Sequence, residues 1–285
     1  MKLFKNLILV LATFFIFELT FTKDANAAAC TVTDGVYSEA EIKSGCEATP
    51  DKYEIVLYKI YLCTSEPTIP TTSATVVLTN CSQIFNNDNG ATASLVQLGS
   101  VDLTGTYTKP PNGTYTHGYA MMGNTFGLTA SIQIDGSMDG QASGSGVFCG
   151  TLAATGNYTK GSGAHDNEST CGSSAITAGK YVETLTHFGA QSEDWASSVT
   201  AENINGTTAD ITGLLVDTNG HLASTEGEVD AMEGMVTFAD SITVTNNSRS
   251  LTMSFNIGEG MTLTSGGADK IYIGSGPFQA IFELD

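Results

Sequence analysis

Short stretches rich in aromatic and β-branched residues follow one another along most of this chain. The longest, Tyr53 to Leu62, is apolar on both faces and predicts a central buried strand, with a helix as the competing interpretation because periodicity alone does not separate the two. Leu251 to Ile257 alternates apolar with polar residues, as a strand with one face in the core does. Further strands are predicted at residues 74–79, 94–107, 117–122, 126–134, 180–188, 209–217, 234–244 and 278–284.

Four Asn-Gly pairs lie between these stretches, at Asn89, Asn112, Asn205 and Asn219. An Asn-Gly pair readily adopts the positive φ angles of a hairpin turn, so the pairs predict antiparallel neighbours. Helix is predicted only for one or two turns at residues 38–43 and 192–199. The sequence therefore predicts an all-β fold, an antiparallel β-sandwich or jelly-roll-like double sheet with disulfide-stapled loops and very little helix. A β-solenoid is the alternative, which the lack of a fixed repeat disfavours.

The first 27 residues have the pattern of a secretory signal peptide. Lys2 and Lys5 precede an apolar run at residues 7–17, and a small-residue cleavage site ends at Ala27. Cleavage there leaves residues 28–285 as a single secreted β-rich domain, with a sub-boundary in the Gly/Ser/Asn-rich segment 156–174. We expect a location at the cell surface, outside the cell or in the periplasm, with no transmembrane anchor after cleavage.

All six cysteines follow this leader, and an even number in an oxidising compartment indicates a disulfide framework. Many pairings are open to six cysteines, and the simplest is local in sequence: Cys30–Cys46, Cys63–Cys81 and Cys149–Cys171. The absence of CxxC pairs disfavours a zinc or redox site. An acylated Cys30 would make the chain a lipoprotein, but Ala27 stands where that motif has Leu, and lipidation would leave an odd number of cysteines.

The charge balance excludes two classes of partner. The chain has 11 basic and 30 acidic residues, a formal net charge of −19. Nucleic acids and anionic membranes bind mainly through Lys and Arg, so neither is expected as a partner. Charged residues make up only 14% of the chain, against about 25% in average usage. Hydroxyl and amide side chains therefore solvate the surface, as is common in secreted surface proteins.

Catalytic motifs are missing from the sequence. HExxH, GxSxG, GxGxxG and P-loop patterns are absent, and the four histidines show no ligand spacing. We expect no catalytic residue, no nucleotide cofactor and no compact catalytic site, with a secreted hydrolase kept as a weak alternative. Acids suited to glycoside hydrolysis are too numerous to select a pair; they are Glu183, Glu193, Asp194, Asp217, Glu226, Glu228 and Asp230.

Two ligand hypotheses come from local patterns. Asp135 and Asp139 place two carboxylates within one short segment, and the Asn-rich segment 86–90 has the oxygen density of a calcium loop. Each is therefore a candidate calcium loop, although a hairpin turn is the simpler interpretation. Exposed aromatic rings on a β-sandwich stack on sugars, and four residues are candidates for this role: Tyr107, Tyr115, Tyr119 and Trp195. The alternative is that the tyrosines pack beneath the turn at residues 110–113 and hydrogen-bond to it.

Together these features favour a secreted, non-enzymatic structural or cell-surface protein, such as a surface-layer, fibre or adhesin subunit. A carbohydrate- or ligand-binding module is the alternative. The partners expected are the chain itself, other surface components or glycans. The apolar C-terminal segment 276–285 must pair as a strand, within its own fold or with a neighbouring subunit.

Overall fold

A computed structural model describes residues 28–158, 168–188, 194–204, 207–266 and 269–284; the predicted signal peptide lies outside them. Helix in this part is limited to α1 (Glu39–Ser44) and one 3-10 turn (Glu226–Glu228). The first ten strands are β1 (Val32–Thr33), β2 (Val36–Tyr37), β3 (Cys46–Ala48), β4 (Lys52–Cys63), β5 (Cys81–Leu95), β6 (Thr106–Tyr107), β7 (Gly113–Gly123), β8 (Thr125–Thr129), β9 (Ser131–Gly140) and β10 (Ser145–Thr151).

The second half continues in the same way. Its strands are β11 (Thr155–Tyr158), β12 (Ser169–Gly172), β13 (Tyr181–Leu185), β14 (Ala196–Ile204), β15 (Thr207–Val216), β16 (Ala231–Val244), β17 (Leu251–Asn256), β18 (Met261–Gly266), β19 (Lys270–Ser275) and β20 (Gln279–Leu284). The prediction of an all-β fold with very little helix is confirmed.

Most strands belong to two large sheets. One has ten strands in the order β11-β13-β8-β4-β7-β16-β15-β14, with β5 paired to β4 and β6 paired to β5. The other has eight strands in the order β1-β2-β9-β19-β18-β3, with β10 paired to β9 and β12 paired to β10. β17 and β20 form a separate antiparallel pair. The pairing is mostly antiparallel, as predicted, but β11–β13, β9–β19 and β2–β9 are parallel.

Each large sheet buries one face. The larger core lies between the ten-stranded sheet and the β17–β20 pair, where the rings of Tyr53 and Phe278 lie 5.4 Å apart. The smaller core lies between the eight-stranded sheet and α1, with Ile42 of the helix packed among sheet residues such as Leu263. Each fully buried aliphatic or aromatic side chain stabilises the fold by about 1.5–3 kcal/mol relative to exposure.

The chain passes from one large sheet to the other at Ala130. Residues 126–134, predicted as one strand, are instead the end of β8 in the ten-stranded sheet and the start of β9 in the eight-stranded sheet. Thr151 holds this corner, because its hydroxyl accepts a hydrogen bond from the Ala130 amide at 3.0 Å while its own amide donates to the Ala130 carbonyl at 2.9 Å. Because the buried backbone groups of Ala130 are hydrogen-bonded at this corner, the run of apolar residues continues through it while the chain leaves one sheet and enters the other.

Three other local predictions are wrong. Residues 74–79 form only isolated bridges, and most of residues 94–107 is a loop between β5 and β6. The predicted helix at 192–199 is strand from Ala196 onward, because β14 pairs with β15 and this pairing overrides a weak helix propensity. Residues 192 and 193 lie outside the described part.

One of the four Asn-Gly pairs lies in a tight turn of the described chain, where Gly220, at φ 77°, donates its amide to the Asp217 carbonyl at 2.9 Å. Another pair, at positions 205 and 206 between the antiparallel strands β14 and β15, lies outside the described residues. The other two pairs are not hairpin turns, since Gly90 lies within β5 and Gly113 begins β7.

The three disulfides have the predicted sequence-local pairing. Their Cα–Cα distances are 5.0 Å for Cys30–Cys46, 4.0 Å for Cys63–Cys81 and 4.1 Å for Cys149–Cys171. The last one closes a loop that contains most of the segment 156–174, of which residues 159–167 lie outside the described part. β20 pairs with β17 of its own chain. Among the described residues, no helix has the length and apolar character needed to cross a membrane.

Candidate functional site

An open groove of about 460 Å³ lies on the ten-stranded sheet over β4, β5 and β6. It occupies the outer face, which we define as the face opposite the larger core. β4 places Lys59 and Tyr61 there because the alternating residues Ile60 and Leu62 are buried in that core. β5 contributes Gln83 opposite Tyr61, and Asn86 opposite Lys59.

A bulge in β5 forms one wall of the groove. Leu57 of β4 pairs with Ala91, whereas Lys59 pairs with Asn86, so residues 87–90 of β5 stand opposite a single residue of β4. The Asn87 amide group donates to the Thr104 carbonyl at 2.6 Å and fixes the bulge to the following loop. The Asn-rich segment that suggested a hairpin turn or calcium loop is therefore a wall of the groove.

Gly90 closes this bulge. Its φ of 80° lies in the left-handed region, and a Cβ at this position would lie 2.5 Å from Cγ1 of Val56. Both the backbone angle and the close approach require glycine. The Asn-Gly pair thus shapes the groove instead of turning the chain.

Polar side chains continue along the groove from β5. The Gln83 amide donates to Oδ1 of Asn86 at 3.1 Å, and the Asn86 amide donates to Oδ1 of Asp88 at 3.3 Å. Thr106 and Thr108 add hydroxyl groups from the β6 side. The groove therefore offers a row of neutral donors and acceptors, with Lys59 and Asp88 as its charged members.

Tyr61 supplies the aromatic surface of the groove. Its half-buried ring packs edge-on against Tyr119 of the neighbouring strand, with ring centroids 5.6 Å apart and an interplanar angle of 63°. Burial raises the pKa of the Tyr61 hydroxyl, which therefore remains a protonated donor. The edge contact fixes the orientation of the ring and leaves part of it open to the groove.

A buried acid lies next to Tyr119, the ring against which Tyr61 packs. Glu233 of β16 is 3% exposed and hydrogen-bonds to the hydroxyl of Tyr119, which is 4% exposed. Desolvation raises the pKa of Glu233 to about 7, and the hydrogen bond from Tyr119 acts in the opposite direction. Its Oε2 atom has no hydrogen-bond partner among the described residues. Glu233 is thus a carboxyl group whose protonation changes near neutral pH.

The same region is covered by the segment 64–80, which the Cys63–Cys81 disulfide closes. Val76 and Leu78 of this segment pack against the apolar cluster that contains Tyr119, Leu214 and Met235. Glu233, which hydrogen-bonds to Tyr119 of this cluster, is itself buried, and its burial is the physical cause of its raised pKa. The groove itself remains open beside this cover.

The four aromatic residues selected from the sequence are not brought together. Tyr115 is 2% exposed and donates its hydroxyl to the Pro111 carbonyl at 2.8 Å, so it packs beneath the turn, and Tyr119 lies buried behind the groove. Tyr107 is 63% exposed but packs against Phe85, whose ring is 5.3 Å away, on the other face of β6 from the groove threonines. Trp195 is half-buried beside β14, at the far edge of the sheet.

The two candidate calcium ligands, Asp135 and Asp139, accept hydrogen bonds from different parts of the chain. Asp135 accepts a bond from the Glu39 amide at 2.7 Å and so caps the first turn of α1, while Asp139 accepts a bond from the Ser145 hydroxyl. Both lie within β9 and not in a hairpin turn. Nowhere in the described ranges do three or more His, Cys, Asp or Glu side chains cluster as metal ligands would.

The acids considered for glycoside hydrolysis are dispersed. Glu183 is buried between the two large sheets, where its Oε2 accepts a bond from the Ser275 amide at 2.7 Å. Asp217 accepts amide bonds within its own turn, which lower its pKa, and Glu228 accepts bonds from Ser224, which do the same. Glu193 and the histidine at position 165 lie outside the described part.

Comparison of this chain with protein-family models, curated proteins and solved structures finds no match. The assignment of a function therefore depends on the geometry of the groove and on the sequence features that precede it.

Proposed function

We propose that this chain is a secreted, non-enzymatic cell-surface protein of the adhesin type, and that the groove over β4, β5 and β6 binds carbohydrate. The observation that carries the proposal is the Tyr61 ring beside the Gln83–Asn86–Asp88 row of hydrogen-bonding groups. A sugar ring has an apolar face and a hydroxyl rim. An aromatic ring takes the face, and amide and carboxylate groups exchange hydrogen bonds with the rim.

The shape of the groove supports a chain-like ligand. It is open to solvent, so a glycan can enter without being threaded. A site with one aromatic ring and a few polar groups binds weakly, with Kd values of about 1 μM to 1 mM, and surface proteins compensate for this through multivalency.

The sequence supports a location at the cell surface or outside the cell. The leader pattern at residues 1–27 precedes a domain with three disulfides, which form and persist in oxidising compartments. A low charge density and a surface of hydroxyl and amide groups agree with exposure outside the cell.

The test is binding of the mature protein to a panel of soluble oligosaccharides and polysaccharides, measured by affinity electrophoresis and calorimetry. Tyr61→Ala should weaken binding by about five- to a hundredfold, since stacking of a base on an aromatic ring is worth about 1–3 kcal/mol and we expect a sugar face of similar size to contribute in the same range. Tyr61→Phe should keep most of it. Tyr272→Ala is the matched control, because this half-buried tyrosine lies on β19 of the eight-stranded sheet, away from the groove. If no glycan in the panel binds, or if the two alanine variants behave alike, the proposal is wrong.

A hydrolase is the second candidate, because a carboxyl group with a pKa of about 7, such as that of Glu233, is suited to general acid catalysis. Glu233 is buried behind Tyr61 and is not among the groove-lining residues, which favours binding over hydrolysis. The same panel separates the two functions when new reducing ends are measured. Release of reducing sugar that Glu233→Gln abolishes would assign the chain as a hydrolase.

A further inference from the structure

We infer that the groove prefers a glycan that carries an isolated carboxylate, as a uronic or sialic acid unit does, and that Lys59 recognises this carboxylate. The inference rests on the proposed function of the groove and names the class of sugar. It follows from the position of Lys59, from the partners that four other lysines have and from the overall charge of the chain.

Among the described residues, Lys59 lacks the acid or carbonyl partners that four other lysines have. Its side chain is half-buried in the groove, yet no carboxylate among the described residues lies within the 4.0 Å of an ion pair. Lys43 is paired with Glu39 and Asp269, Lys52 and Lys180 are paired with Glu54, and Lys109 donates to the carbonyls of Thr245 and Ser248.

This arrangement is unexpected for a chain with so many acids. With 30 acidic residues against 11 basic ones, a half-buried ammonium would find a carboxylate partner easily. Asp88 is the acid of the same groove, but its Oδ1 accepts a bond from the Asn86 amide, and it forms no ion pair with Lys59. The ammonium of Lys59 is thus left available to a ligand in the groove.

The overall charge limits the ligand to one with few charges. A net charge of −19 repels a polyanion along its whole length. Screening confines the field of a single charge to about 8 Å at physiological ionic strength, so an isolated carboxylate next to Lys59 experiences mainly the local positive charge. The sugar class is therefore a largely neutral glycan with a single acidic unit, and not a polyuronate.

The expected effect is about a fivefold lower Kd for the acidic sugar, the size of an ion pair at a partly solvated site. Two matched pairs of probes measure it: cellobiose against cellobiouronic acid, and lactose against 3′-sialyllactose. The members of the first pair differ only by the oxidation of one primary alcohol to a carboxyl group, and those of the second pair differ by an added sialic acid unit. In at least one pair, the acidic member should bind about fivefold more tightly, and 1 M NaCl should remove most of the difference.

Substitutions assign the effect to Lys59. Lys59→Gln should abolish the preference for the acidic member, Lys59→Arg should keep the preference, and Asp88→Asn should increase it. Lys270→Gln is the control, because Lys270 is exposed at the start of β19, outside the groove, and its removal changes the net charge equally. Unchanged thermal unfolding of each variant shows that the fold is intact.

The outcomes distinguish this inference from the proposed function. If neutral and acidic members bind equally, or if the preference persists in Lys59→Gln, the inference is wrong while carbohydrate binding stands. If Lys270→Gln removes the preference as well, net charge and not Lys59 is its cause, and the inference is again wrong. If neither pair nor any glycan of the panel binds, both fail.

Discussion

Replacing Glu233 by Gln should make the protein more stable at alkaline pH and leave its stability at acid pH almost unchanged. Glu233 is buried behind Tyr61, and desolvation raises its pKa from the ordinary value of 4.5 to about 7. Glutamine has nearly the shape of the protonated carboxyl group, accepts the same hydrogen bond from Tyr119, and does not ionise. The substitution therefore mimics the protonated form at every pH.

The size and direction of the effect follow from linkage. Below pH 4.5 both folded and unfolded chains hold the proton, so Glu233 adds nothing to the pH dependence. Between pH 4.5 and about 7 the unfolded chain releases the proton while the folded chain keeps it, so stability falls as the pH rises. A tenfold change in proton affinity corresponds to about 1.4 kcal/mol. The full loss is therefore about 3 kcal/mol, and it is complete above pH 8.

Urea unfolding of the wild type and of Glu233→Gln at several pH values between 4 and 8.5 measures this effect. The difference between the two free energies of unfolding should be near zero at pH 4 and about 3 kcal/mol in favour of the variant at pH 8.5. Glu66→Gln is the control, because Glu66 is exposed, and it should leave the curve unchanged. Tyr119→Phe should steepen the loss, since it removes the bond that lowers the pKa of Glu233. Parallel curves for wild type and Glu233→Gln would refute the reasoning.

Three further predictions concern stability, each measured as the free energy of unfolding in urea. Leu98→Asn should stabilise the protein by about 0.5–1 kcal/mol, because Leu98 is 57% exposed and has a φ of 54°, which asparagine tolerates better; a loss of stability would contradict this. Thr151→Val should destabilise by about 3 kcal/mol, because the buried Ala130 amide and Gly179 carbonyl lose their hydroxyl partner, and an unchanged midpoint would show that the corner does not depend on it. Removal of the Cys63–Cys81 disulfide by double serine substitution should cost about 3 kcal/mol through loop entropy, and a loss below 1 kcal/mol would contradict that estimate.

Patterns that depend on local sequence were predictable. The run at Tyr53 to Leu62 became β4, and the alternation at Leu251 to Ile257 became β17, because apolar periodicity reports which residues face a core. The local disulfide pairing followed from loop length. The helix at 38–43 also formed, since it packs Ile42 into the smaller core.

Features that depend on partner strands were not predictable. The corner at Ala130 requires Thr151, which lies more than twenty positions along the chain, and no local signal marks it. The bulge at residues 87–90 was interpreted as a turn because the glycine of an Asn-Gly pair adopts the positive φ angle that both a hairpin turn and a bulge require. Lys59 and Tyr61 were missed as groove residues because the β4 sequence looks apolar on both faces. The two residues are two positions apart, however, and the alternation of side chains along a strand predicts that both point to the same face.

The most direct test of the account is a titration of isotopically labelled mature protein with the tightest-binding glycan of the panel, followed by backbone and side-chain NMR shifts. Carbohydrate binding in the groove predicts that saturable shift changes concentrate on Tyr61, Gln83, Asn86, Thr106 and Thr108, and that Tyr61→Ala removes them. Saturable changes on a different face of the molecule, or changes that persist in Tyr61→Ala, would contradict the central claim.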